Sequence, residues 1–94
     1  VHVVGLEVDI RIPASRSLKD RRQVVRSLLD GARRRFQVSA AEVGGQDTWQ
    51  RATLGFAVVA SEARLAEEVI DAIDRFLWSR PDIEIVDARV AWVD

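Results

Sequence analysis

The sequence predicts an α+β sandwich in the order strand–helix–strand–strand–helix–strand, and three observations carry that prediction. Apolar and polar residues alternate over two long stretches, Val4–Ile12 and Arg51–Ala60, which is the period of a half-buried strand. Two other segments repeat apolar residues at helical spacing, Leu18 to Phe36 and Leu65 to Leu77. Chain breakers stand at the junctions: Pro13, Gly44-Gly45 and Pro81.

In order, Val4, Leu6, Val8, Ile10 and Ile12 make one face of the first strand, and Pro13 ends it because proline gives no ladder donor. Ser17, with Asp20 three residues on, reads as a helix N-cap with an acidic first turn. Leu18, Val25, Leu28, Leu29, Ala32 and Phe36 form the apolar face of that helix, and Gly31 weakens it without ending it. Val38–Val43 is a short strand, followed by the turn-rich connection GGQDTWQ. In the third strand Leu54, Phe56, Val58 and Ala60 share one face, while Thr53, Gly55, Ala57 and Val59 share the other. Ser61 is the expected cap of a second helix, whose buried face is Leu65, Val69, Ile70, Ile73, Phe76 and Leu77. The last strand runs from Ile83 to Val93, with broken parity at Ile85-Val86 that predicts a bulge.

Two interleaved right-handed strand–helix–strand units give a ferredoxin-like antiparallel sheet of four strands, spatial order 4-1-3-2, with both helices on one face. The opposite face then carries Glu7, Asp9 and Arg11 on the first strand and the small row Thr53, Gly55, Ala57, Val59 on the third. That row predicts a homodimer, because an isologous sheet-face contact would cover it.

At 94 residues, 48% of them apolar and 31% charged, the chain reads as a single globular domain over 1–94. It begins at Val1 and has no methionine, so an initiator is removed or lies outside it. No apolar run approaches the ~20 residues that span a bilayer, and no signal-peptide pattern opens the chain, so a cytoplasmic location without membrane contact is expected. The absence of cysteine removes disulfides, thiolate metal sites, iron–sulfur clusters and cysteine nucleophiles.

No catalytic constellation, metal site or cofactor motif emerges. The single histidine, His2, stands at the frayed start of the first strand and reads as an exposed terminal side chain, although histidine is the commonest general base. Glu67, Asp71 and Asp74 share the outer face of the second helix and read as a solvated surface. Gly44-Gly45 lacks the following Lys-Ser/Thr and helix of a phosphate cradle. Leu54–Val59 has one aromatic where RNA-recognition sheets need several, and its parity turns Phe56 toward the helices.

Charge is divided. From Arg16 to Phe36 eight basic residues face two acidic ones, whereas from Gln37 to Asp94 eleven acidic residues face five arginines. At ~100° per residue Lys19, Arg22, Arg26 and Arg33 fall within an arc of roughly 60°, beside the apolar face. Arg16 adds a cation at the helix start, an anion-favouring position. This stripe is a candidate phosphate-backbone site, or it pairs with the acidic second helix; the residues leave both open. A second candidate contact site is the connection bearing Glu42, Gln46, Asp47, Trp49, Gln50 and Arg51. Its alternative reading makes Trp49 a lid on the open end of the core. Trp78 projects among Glu67, Asp71 and Asp74, so either the helix unwinds before it or a large aromatic is exposed.

The segments SLKDRRQVVRSLLD and FQVSAAEVGGQDTWQRATLGFAVVAS resemble the YlxP-like family of bacterial domains, over nearly the whole chain. SLK-x-RR at Ser17–Arg22 and AEVG-x-QD-x-WQRA-x-LG at Ala41–Gly55 are the most specific parts. The resemblance implies a ferredoxin-like fold and no known enzymatic activity. It also implies a role near RNA or the ribosome, because genes of the family often lie beside translation-initiation and ribosome-maturation factors.

A non-enzymatic interaction module, RNA- or ribosome-associated through the first helix, is therefore the leading expectation. A small-molecule-sensing or purely dimerising regulatory domain is the alternative, weakened because PASRS supplies no glycine-rich ligand turn after the first strand. An acylphosphatase-like enzyme needs a catalytic asparagine, and the chain has no asparagine.

Overall fold

A computed structural model describes residues 1–45 and 48–93. The elements are β1 (His2–Arg11), α1 (Leu18–Arg35), β2 (Ser39–Gly44), β3 (Arg51–Ala60), α2 (Ala63–Trp78) and β4 (Glu84–Trp92). They build one antiparallel sheet in the order β2-β3-β1-β4, the predicted order read from its other edge. Both helices lie on one face, so the ferredoxin-like sandwich is the fold of the chain.

Register explains why the core closes. β1 and β3 pair from His2↔Ala60 to Arg11↔Arg51, with Leu6↔Phe56 and Val8↔Leu54 at the centre. Directly opposed residues share a face, so one sheet face is apolar along the whole of both strands. Onto it pack Val25, Leu28 and Ala32 from α1 and Ala66, Ile70, Ile73 and Leu77 from α2. The bulge expected at Ile85-Val86 is present: Asp9 faces Asp87 while Ile10 faces Ile85, leaving Val86 as the extra residue. A second irregularity makes Val43 the extra residue in β2.

The predicted cap of α1 forms. The Asp20 N–H donates to Ser17 Oγ at 3.0 Å, and the Arg16 N–H donates to Asp20 Oδ2 at 3.1 Å. Gly31 has a packing reason: a Cβ there would lie 2.8 Å from Phe76 Cζ, so the tip of the Phe76 ring occupies the space a side chain would need. The Phe76 ring is in turn covered by the Arg35 guanidinium, 4.6 Å from its centroid.

Four expectations need correction. Leu18 is 44% exposed, because the first turn of α1 overhangs the end of the sheet. Leu65 is also exposed, and Ala66 takes the buried position in that turn. Glu62, not Ser61, is the N-cap of α2, and no side chain caps that terminus. Phe36, Val69 and Phe76 are only half-buried, packed against the margin of the core. Trp78 completes α2 without unwinding and is exposed, which decides between its two readings.

Candidate nucleic-acid interface

The basic face of α1 begins where the β1–α1 turn meets the β2–β3 connection, and a buried arginine fixes that meeting. Arg21 is 3% exposed. Its guanidinium donates Nη2 to Glu42 Oε1 at 2.6 Å and Nη1 to Glu42 Oε2 at 3.2 Å, a two-point pairing that locks the fork in plane. Nη2 also reaches the Gly45 carbonyl at 2.8 Å, and Nε the Arg51 carbonyl at 2.8 Å. One side chain of α1 thus holds both limbs of the β2–β3 connection. Gly45 can turn there because its φ of 76° suits glycine. Gln50 supplies a second tie: the Ile12 N–H donates to its carbonyl at 2.8 Å, and its amide reaches the Pro13 and Ser15 carbonyls at 3.4 Å.

Sequence reading missed Arg21, although the signal was there. It precedes Val25 by four residues, Leu28 by seven and Ala32 by eleven, so it sits inside the apolar stripe at helical spacing. A charge in that stripe implies a buried partner. Glu42 is that partner: its carboxylate is paired with Arg21 and, half-buried, borders the groove between α1 and β2.

The other candidate residues fall out differently. Arg16, Lys19, Arg22 and Arg26 are all exposed, and among the described residues no acidic side chain pairs with any of them. Arg34 joins them at the far end of the helix. Arg33 is engaged: Nη1 meets Asp30 at 3.2 Å and Nη2 donates to the Ala40 carbonyl. No ion pair among the described residues links the stripe to the acidic face of α2, whose Glu68 pairs with Arg64. Arg22, Arg26 and Arg33 line an open groove of about 370 Å³ between α1 and β2, floored by Val25 and Leu29.

Trp49 is 54% exposed and does not lid the core. It borders a shallow depression with Leu18, Thr48, Gln50 and Arg51 at the N-terminal end of α1. The exposed leucine of the helix and the exposed tryptophan of the connection are therefore neighbours. Gln46 and Asp47 lie outside the described residues.

The open sheet face carries a separate polar cluster. Arg89 bonds Asp9 at 3.1 Å and Asp87 at 2.8 Å, and lies 3.7 Å from Glu7. Thr53 Oγ1 donates to Asp9 Oδ1 at 2.7 Å. The Arg89 guanidinium and then the Thr53 hydroxyl hold the Asp9 carboxyl below its ordinary value. Beside this cluster Gly5, Ala41, Gly55, Ala57 and Ala91 floor an open apolar trough of about 450 Å³. His2 contacts Trp92 edge to face, with ring centroids 6.4 Å apart. Among the described residues no group of three or more histidine or acidic side chains is placed to hold a metal, and no helix is long and apolar enough to cross a membrane.

Residues 3–90 match the family model described as a protein of unknown function, DUF503. The chain belongs to the DUF503 family. The uncharacterized protein YlxP of Bacillus subtilis (strain 168) is 38% identical over 76 residues, covering 81% of this chain and 83% of that protein. Ser17–Arg22 and Ala41–Gly55, the stretches on which the sequence resemblance rests, are the two segments that Arg21 and Glu42 join.

Proposed function

We propose that this DUF503 domain is a non-catalytic RNA-contacting module. The N-terminal half of α1 tracks a phosphate backbone, and Trp49 offers a stacking surface for an unpaired base. One observation carries the reading: Trp49 is exposed beside Leu18, the first residue of α1, in a connection that Arg21 ties to the helix half bearing the unpaired cations. Eleven acidic residues follow α1 in the chain, yet Arg16, Lys19, Arg22 and Arg26 draw on none of the described ones. Free guanidinium groups suit phosphate, and aromatic faces beside cations suit unstacked bases in RNA loops. Such a partner places the protein in the cytoplasm, and a ribosomal particle is the natural source of structured RNA with exposed loops.

The test is anisotropy of a labelled hairpin RNA over a salt series. Binding should weaken with salt by ~0.7–0.9 in log–log slope per phosphate contact. The double substitution Arg22→Gln/Arg26→Gln should flatten that slope by about two contacts without shifting the unfolding midpoint. Trp49→Ala should weaken binding by ~1–3 kcal/mol while leaving the slope alone. Absence of binding at about 50 mM salt, or binding indifferent to the arginine pair, overturns the proposal.

A further inference from the structure

The two edges of the sheet are finished differently. β2 is six residues long, is bent by the extra Val43, and has its Ala40 carbonyl occupied by Arg33. Short length, a bulge and a cation are the devices that stop an edge from pairing with another chain. β4 has nine residues and pairs only with β1 among the described residues. Its bulge lies near one end, leaving Asp87–Trp92 regular.

The side chains along that free edge are apolar on the wrong side. Val90 and Trp92 stand opposite Leu6 and Val4, so they project to the helix-covered face. Yet Val90 is 54% and Trp92 42% exposed, because α2 lies mainly across β3 and β1. On the other face one guanidinium, that of Arg89, serves Glu7, Asp9 and Asp87 together.

We propose that β4 is a homodimerisation edge, with a second copy of this chain paired antiparallel to it about a two-fold axis at Ala88. The occupant follows from the sequence of the edge itself. A two-fold at Ala88 sets Asp87 opposite the second copy's Arg89, and Arg89 opposite its Asp87, on the open face. On the helix-side face it sets Ala88 against Ala88, and it places Val86 opposite Val90. Each three-carboxylate cluster thereby gains a second guanidinium. Sliding the axis to Val90 puts Arg89 opposite Ala91, and sliding it to Val86 puts Asp87 opposite Ile85, so other registers of the same facing lose both ion pairs. The contact is isologous and closes on itself, giving one sheet continuous through both copies. This edge contact replaces the sheet-face dimer expected from the row Thr53, Gly55, Ala57, Val59, and it is independent of the RNA reading.

The chain's lack of cysteine makes the test clean. Across an antiparallel two-fold, Cα atoms lie ~4.5–5.5 Å apart, inside the ~4.4–6.8 Å that a disulfide spans. Ala88→Cys, at an exposed position, should oxidise rapidly to a covalent dimer. Val90→Cys, displaced by ~13 Å from its symmetry mate at ~3.3 Å per residue, should not. Ala57→Cys reports the sheet-face alternative. Asp87→Arg and Arg89→Asp should each weaken the dimer about tenfold by placing like charges opposite, and an equimolar mixture of the two should restore dimer. A wild-type chain that sediments as monomer at tens of micromolar overturns the proposal. So do cross-linking of Ala88→Cys no faster than Val90→Cys, preferential cross-linking through Ala57→Cys, and a mixture of charge variants no more dimeric than its components.

Discussion

Arg21 and Glu42 show what a single pair of residues decides here. Their side chains are 3% and 18% exposed, so neither charge is left in water and each depends on the other. Arg21→Ala strands a carboxylate and removes the donor from the Gly45 and Arg51 carbonyls. It should cost ~3–5 kcal/mol, a large part of the ~5–14 kcal/mol expected for a domain of this length. The double substitution Arg21→Met/Glu42→Met should cost clearly less, because no unpaired charge remains; urea midpoints of the two variants check the difference. Asp9 gives the opposite case, a charge at the surface. Its carboxyl is held below the ordinary 3.8 by Arg89 and then Thr53. A folded-state value below the unfolded one stabilises above the ordinary value, and that stability is lost as pH falls through the folded value. Asp9→Asn should therefore flatten the fall in unfolding midpoint below about pH 4, and parallel acid limbs for wild type and variant contradict this assignment.

At the scale of elements, α1 does two jobs on two faces. Its inner stripe was legible as a 3.6-residue period, and Leu28 at its centre is fully buried against the sheet. Leu28→Ala should cost ~2–5 kcal/mol by leaving a cavity, measured as a shift in thermal or denaturant midpoint with the RNA salt slope unchanged. Its outer stripe was legible as charge but not as function, since spacing shows which residues share a face and not what lies opposite. The structure divides that stripe by reach: Arg33 comes close enough to the β2 edge to cap it, while Arg22 and Arg26 stay free in the groove. The strands divide similarly. Alternation revealed β1 and β3, each covered on one side; in β4 it is interrupted by the bulge at Val86, and beyond the bulge Val90 and Trp92 lie on the helix side yet stay exposed.

For the whole molecule, local pattern and global fold agree, which is why order, sheet topology, the β4 bulge and the cap of α1 followed from the sequence, although the cap of α2 did not. Those features rest on near-neighbour physics: side-chain period, proline and glycine at junctions, and the short reach of a serine cap. The sequence by itself also determined the separation of charge between α1 and the remainder of the chain. Only the tertiary structure decided how those charges are used. It buried Arg21 against a carboxylate twenty-one residues away, left Leu18 and Trp49 exposed as neighbours, and, among the described residues, formed no ion pair between the basic stripe and the acidic face of α2. It also left one sheet edge guarded and the other open. Each of these depends on distances between segments remote in the chain, which no one-dimensional period encodes, because a period fixes direction around an element and not the element that stands across from it.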